Sequence, residues 1–173
     1  MAFPVELSWV GERVLPPAIV PFPRGFAFGH DGRLFLASGI GPDGEGDDAI
    51  VAFGADGGTW PLRLVVDSEL SPLDLAIAPN RNIIVSSERP FGAANALTGV
   101  RQYDPTDGHL VRVFSAGTSA EFRKPRGLPF GPDGIIYCGA RDEVVAFDFE
   151  SGRCLGSTVR FPRLYGQALI FFP

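Results

Sequence analysis

The sequence predicts an all-β chain of repeated four-stranded antiparallel meanders, and three observations carry that prediction. The segment Pro125-Arg-Gly-Leu-Pro-Phe-Gly-Pro-Asp-Gly-Ile-Ile-Tyr-Cys138 has an echo at Pro23-Arg-Gly-Phe-Ala-Phe-Gly-His-Asp-Gly-Arg-Leu-Phe-Leu36. A weaker one stands at Pro72-Leu-Asp-Leu-Ala-Ile-Ala-Pro-Asn-Arg-Asn-Ile-Ile-Val85. The anchoring prolines Pro23, Pro72 and Pro125 are 49 and 53 residues apart, a period that belongs to the blades of a β-propeller and not to short helical or leucine-rich repeats. No stretch carries a helical hydrophobic period of useful length.

Each copy opens with a hairpin: an apolar run, a turn bearing Asp-Gly or Asn, and a second apolar run. Gly32 and Gly134 supply the positive φ of a tight turn, while Asp31 and Asp133 bond their own downstream amides. Asn80 and Asn82 are expected to fill that role in the middle copy. Two further strands follow each hairpin. In the first copy they are Asp48–Phe53 and Trp60–Val66, around the turn Gly54–Gly58; in the second, Gly99–Asp104 and His109–Phe114, joined by Pro105–Gly108. In the third they are Glu143–Asp148 and Arg153–Val159, joined by Phe149–Gly152. The blades are therefore expected over residues 21–70, 71–123 and 124–161, all within one domain of 173 residues.

The flanks are read as a shared partial blade. Residues 162–173 supply its first strand, with Pro173 where Pro132 and Pro79 sit, and residues 1–20 supply outer strands turning at Val10-Gly-Glu12. About three full blades plus a shared partial one leave two completions open. One is a small ring missing a strand. The other is a half-propeller that becomes a homo-oligomer through its open sheet edges, since an uncovered edge ending in Ala168-Leu-Ile-Phe-Phe172 is sticky in water.

The Pro-Arg-Gly start, the Gly-Pro-Asp-Gly turn, the Ile-Ile-Tyr strand and the Val-Ala-Phe-Asp…Ser-Gly pair resemble the NHL-type repeats of bacterial propellers. They resemble equally the repeats of the gluconolactonase and streptogramin-lyase group. The resemblance covers roughly residues 21–173 and bears on fold more than on activity.

With 22 glycines and 16 prolines the composition fits a turn-rich all-β chain, and most of the 15 phenylalanines are expected in the core. A net charge of −5 argues against nucleic acid, the nearest basic cluster being Arg123, Lys124 and Arg126. No stretch approaches bilayer-spanning length and the N-terminus lacks signal-peptide features, so no membrane partner and a cytoplasmic location are expected. Cys138 and Cys154 read as small strand hydrophobes without a disulfide.

The gluconolactonase resemblance implies a divalent metal at the channel mouth, held by Glu, Asn and Asp, with a Pro-Asn-Gly whose Asn faces the ion. Here Arg24 and Arg126 occupy that slot, and a guanidinium neither ligates a cation nor tolerates one nearby. Asp74 falls one residue beyond the slot, an offset expected to turn it away. If the strand starts crowd the axis, Arg24, Asp74 and Arg126 form either a site for an anionic, carboxylate or peptide-end ligand or a belt that orders the blades.

The streptogramin-lyase resemblance implies a histidine base, yet only His30, in a turn, and His109, at an outer strand, exist. No catalytic residues emerge. Asp43, Glu45 and Asp47 alternate like half of a calcium loop, lacking its distal glutamate. Residues 40–48 and 88–97 form long loops suited to recognition. The reading is a non-enzymatic binding scaffold for a protein or peptide, with a degenerate metal-dependent lactonase-like hydrolase as the alternative.

Overall fold

A computed structural model describes residues 20–40, 46–55, 62–67, 70–88, 99–114, 125–162 and 169, with Gly46 and Asp47 described by backbone alone. The first repeat forms β1 (Pro23–Phe28), β2 (Leu34–Ile40), β3 (Gly46–Phe53) and β4 (Leu62–Val66). The second forms β5 (Pro72–Ile77), β6 (Ile83–Ser87), β7 (Gly99–Tyr103) and β8 (Leu110–Phe114). The third forms β9 (Ile135–Gly139), β10 (Glu143–Asp148) and β11 (Cys154–Arg160). Each sheet is an antiparallel meander in chain order. The described residues contain no helix, hence none long and apolar enough to cross a membrane. The flanking strands expected in residues 1–19 and 163–173 and the loop 89–97 lie outside the described residues, apart from Leu169.

Turn chemistry sets the first hairpins. Gly32 and Gly134 adopt φ of 80° and 76°, and Asp31 and Asp133 each accept the amide two residues on. In the middle copy Asn80 accepts the Asn82 amide at 3.2 Å, so Asn80 fills the aspartate's place. The glycine's place falls not to Asn82 but to Arg81, at φ 73° the one non-glycine residue of positive φ among those described.

Strand alternation then sets two inter-blade layers of core, with a smaller cluster of Val20, Leu36, Val51 and Phe53 on the other face of the first sheet. Ile83 and Val85, with Leu75 of their own sheet, point toward the first sheet, where they meet Phe35, Ala37, Ile50 and Ala52. Ile84, between them, points to the third sheet and packs with Phe114, Leu128, Ile136 and Phe147. That period of two explains why β6 is buried on both faces and reads as an unbroken apolar run. Phenylalanines fill the second layer, with Phe114 stacked on Phe149 at 6.3 Å and edge-on to Phe147 at 6.2 Å. Polar bonds cross the first layer: Asp67, beyond β4, accepts from Arg101 Nη1 at 2.8 Å and from the Tyr103 hydroxyl at 3.1 Å.

The third sheet departs from the four-strand expectation. Its innermost segment, Arg126–Phe130, is reduced to isolated bridges with Gly139 and Ile136. Pro129 stands where the other copies have Ala27 and Ala76, each paired in its ladder. It accepts the Tyr137 amide at 3.1 Å but has no N–H to return. Gly127, at φ 62°, breaks the extended backbone just before it. Cys138 is buried, Cys154 half-buried, and both are free thiols.

Candidate functional site

The starts of β1, β5 and the third inner segment converge on a cleft of about 430 Å³ lined by Arg24, Leu73, Asp74, Glu88 and Arg126 with Pro23 and Gly25. The three side chains aligned by the repeat therefore meet. Asp74 and its neighbour Leu73 both line the cleft, at the irregularity between Pro72 and Asp74 where strict alternation of side chains is interrupted, as it is in β1 between Pro23 and Phe26.

Arg24 and Asp74 also tie blades together. Arg24 donates from Nη1 to the Pro72 carbonyl at 3.0 Å and from Nη2 to the Ile40 carbonyl at 3.3 Å, so its guanidinium spans the first two blades. Gly39 is needed beneath it, because a Cβ there would press into that guanidinium. Asp74 accepts the Leu75 amide at 2.9 Å and, across the next junction, the Gly127 amide at 3.0 Å. Gly25 has no room for a side chain: a Cβ would lie 2.7 Å from the Asp74 Cα.

Burial raises the Asp74 carboxyl above the usual aspartate range; the two amide bonds and the charge of Arg126 pull the other way and are outweighed. Behind it, burial pushes the Cys138 thiol well up, helped by the negative charge of Asp74, so Cys138 is no thiolate nucleophile. Glu88 was legible only as the start of a loop. It enters the cleft because its amide donates to the Ser71 carbonyl at 3.0 Å, fixing the residue that follows β6 at the inner end of the sheet.

The remaining candidates lie elsewhere. Asp43 and Glu45 are outside the described residues, and Asp47 is described by backbone alone, in β3. His109 is exposed and pairs with Asp107, Nδ1 to Oδ1 2.6 Å. His30 is exposed in the β1–β2 turn and lines a second cleft of about 300 Å³ with Asp31, Arg33 and Arg81, at the far end of β1 from Arg24. The two histidines therefore face neither each other nor the axial cleft.

The chain matches no protein-family model and no curated protein sequence. It does match solved structures. A catalytically inactive virginiamycin B lyase from Staphylococcus aureus, solved with quinupristin, superposes with a TM-score of 0.61 at 16% identity, over 84% of this chain and 44% of that one. A structural-genomics structure of a candidate gluconolactonase gives 0.59 at 21% identity, over 82% and 48%. A gluconolactonase from Xanthomonas campestris gives 0.56 at 22%, over 78% and 47%. The fold is thus that of a β-propeller, and the chain spans about half the length of the solved structures it matches.

The divalent metal implied by the gluconolactonase resemblance does not fit the described cleft. Asp74 and Glu88 are its two carboxylates, two guanidiniums stand beside them, and no three His, Cys, Asp or Glu side chains cluster among the described residues.

Proposed function

We propose that this propeller is a binding module whose axial cleft receives an anionic group, such as a carboxylate or a peptide end. The observation that carries this reading is the pairing of Arg24 and Arg126 around one cleft, in the slot where the resembled enzymes place a metal-facing asparagine. Arg24 is oriented by its two carbonyl partners, and a guanidinium held in that way loses little freedom on accepting a carboxylate. Asp74 and Glu88 balance the charge and favour ligands that also carry a donor, as a peptide end does.

The competing reading is a lactonase-like hydrolase. It draws on the two gluconolactonase neighbours and on the two carboxylates in the cleft.

Calorimetric titration with succinate and with a short peptide, in chelator, tests the first; a lactone panel with added magnesium, calcium or zinc tests the second. Binding that weakens at least about tenfold in Arg126→Ala is expected, a loss of roughly 1.4 kcal/mol. Lactone hydrolysis that requires a divalent ion and vanishes in Asp74→Ala would overturn the binding-module reading.

A further inference from the structure

The three copies of the first hairpin turn differ at a few slots, and the differences are not scattered. The slot filled by Pro79 and Pro132 holds His30 in the first copy, and the slot filled by Asn82 and Ile135 holds Arg33 there. The slot filled by Gly32 and Gly134 holds Arg81 in the second copy. Each departure brings in a basic side chain, and all three line the cleft of about 300 Å³ at the junction of the first two blades, beside Asp31, Pro105 and Thr106.

Arg33 is held from three sides. Its Nε donates to Asp31 Oδ2 at 2.7 Å, its Nη1 donates to the Pro105 carbonyl of the second blade at 2.8 Å, and its guanidinium carbon stands 5.0 Å from the centre of the Phe35 ring. Among the described residues its Nη2 is unengaged. The other oxygen of Asp31 accepts the Arg33 amide at 3.1 Å, so the carboxylate of this cleft is already occupied by Arg33.

Arg81 reaches the same cleft from the neighbouring blade. Its φ of 73° carries strain that glycine avoids at the equivalent slots, and its exposed side chain has no hydrogen bond or ion pair among the described residues to offset that strain. His30 is likewise exposed and without a partner among the described residues. Strain is thus retained where glycine would serve, and the guanidinium that it positions faces the cleft.

We propose that this cleft is a second binding site, which receives the phosphate of a phosphomonoester. Two guanidiniums from different blades, with an imidazole beside them, suit a tetrahedral dianion that accepts from several directions, whereas a planar carboxylate is satisfied by one guanidinium fork. Arg33 is preorganised by its three contacts, and Arg81 supplies the positive charge that Asp31 does not cancel. The axial cleft lies at the other end of β1 and shares no lining residue with this one, so the two sites stand or fall separately.

Amide-resolved nuclear magnetic resonance titration of the whole chain with phenyl phosphate, and with a blocked phosphoserine tripeptide, tests the proposal. Saturable shifts are expected at the amides of His30, Arg33, Arg81 and Thr106, and the tighter of the two probes shows whether the phosphate arrives on a small molecule or on a modified side chain. Benzoate should bind at least about tenfold more weakly than phenyl phosphate. The double variant His30→Pro, Arg81→Gly gives both turns the residues that the other copies carry, so its circular dichroism should match the wild type while the dissociation constant for phenyl phosphate rises at least about 30-fold. Should the double variant not fold, Arg81→Gly alone serves, with a rise of at least about tenfold expected. Shifts confined to the amides of Gly25, Leu75 and Gly127 would place the phosphate in the axial cleft and overturn the proposal. Equal affinity for benzoate, affinity that survives Arg81→Gly unweakened, or the lack of any saturable shift would overturn it as well.

Discussion

Asp74→Asn isolates the competition at the axial cleft. The carboxylate accepts the Leu75 and Gly127 amides through different oxygens, and asparagine has one acceptor oxygen for those two donors. One partly buried N–H is left without its partner, a loss of about 1–3 kcal/mol. Removing a charge held out of water returns part of that, leaving a net loss of about 1–2 kcal/mol at neutral pH.

The pH dependence separates the two contributions. Burial outweighs the amide bonds and Arg126, so the folded carboxyl titrates above its ordinary value of 3.8. A carboxyl of that kind stabilises the fold in its protonated form. The contribution is complete below the unfolded pKa and is lost as pH rises through the folded one. Asparagine does not titrate, so the wild-type advantage should widen as pH falls from neutrality toward 3.8. Urea unfolding of both proteins at half-unit pH steps, followed by circular dichroism, measures it. An advantage that narrows on acidification would show that the amide bonds and Arg126 prevail over burial, and would refute the account of the cleft as a desolvated site.

Two further outcomes follow from the packing. Arg81→Gly removes a side chain from the left-handed region and should stabilise by about 1 kcal/mol, read as a raised urea midpoint; no gain would mean that the Arg81 side chain contributes to the turn as much as its backbone costs. Asp67→Ala withdraws the acceptor that Arg101, 5% exposed in its side chain, shares with Tyr103, and should cost about 3 kcal/mol in the same assay; a change under 1 kcal/mol would mean that these two bonds add little to the junction.

The architecture was written into the chain in local terms. Asp31-Gly32 and Asp133-Gly134 announce their hairpins because turn chemistry acts over four residues, and the spacing of Pro23, Pro72 and Pro125 shows that the hairpins recur as blades. The same alignment placed Arg24, Asp74 and Arg126 at equivalent strand starts, which suffices to bring them to one cleft whatever their rotamers. Less legible was anything decided between blades. That Arg24 donates to the Pro72 carbonyl depends on how two sheets stack, and no residue type signals a carbonyl acceptor. The bond between Arg101 and Asp67 spans 34 residues and two blades. The positive φ of Arg81 was missed because asparagine is the expected occupant, and the neighbouring Asn80 instead spends its side chain on the Asn82 amide. Pro129 was visible throughout; its effect follows only once Ala27 and Ala76 are seen to pair in their ladders.

The interrupted inner segment of the third blade has a mechanical consequence. Arg126–Phe130 is secured by a few amide bonds to β9 and by the Asp74 clasp on Gly127, whereas β1 and β5 pair along most of their length, each with a single register shift near its start. Deuterium should reach this segment through brief local detachment long before it penetrates β6. Of the inner-segment residues Arg24, Asp74 and Arg126, Arg126 thus rides on the most compliant backbone, and the cleft has one yielding wall set against two stiffer ones.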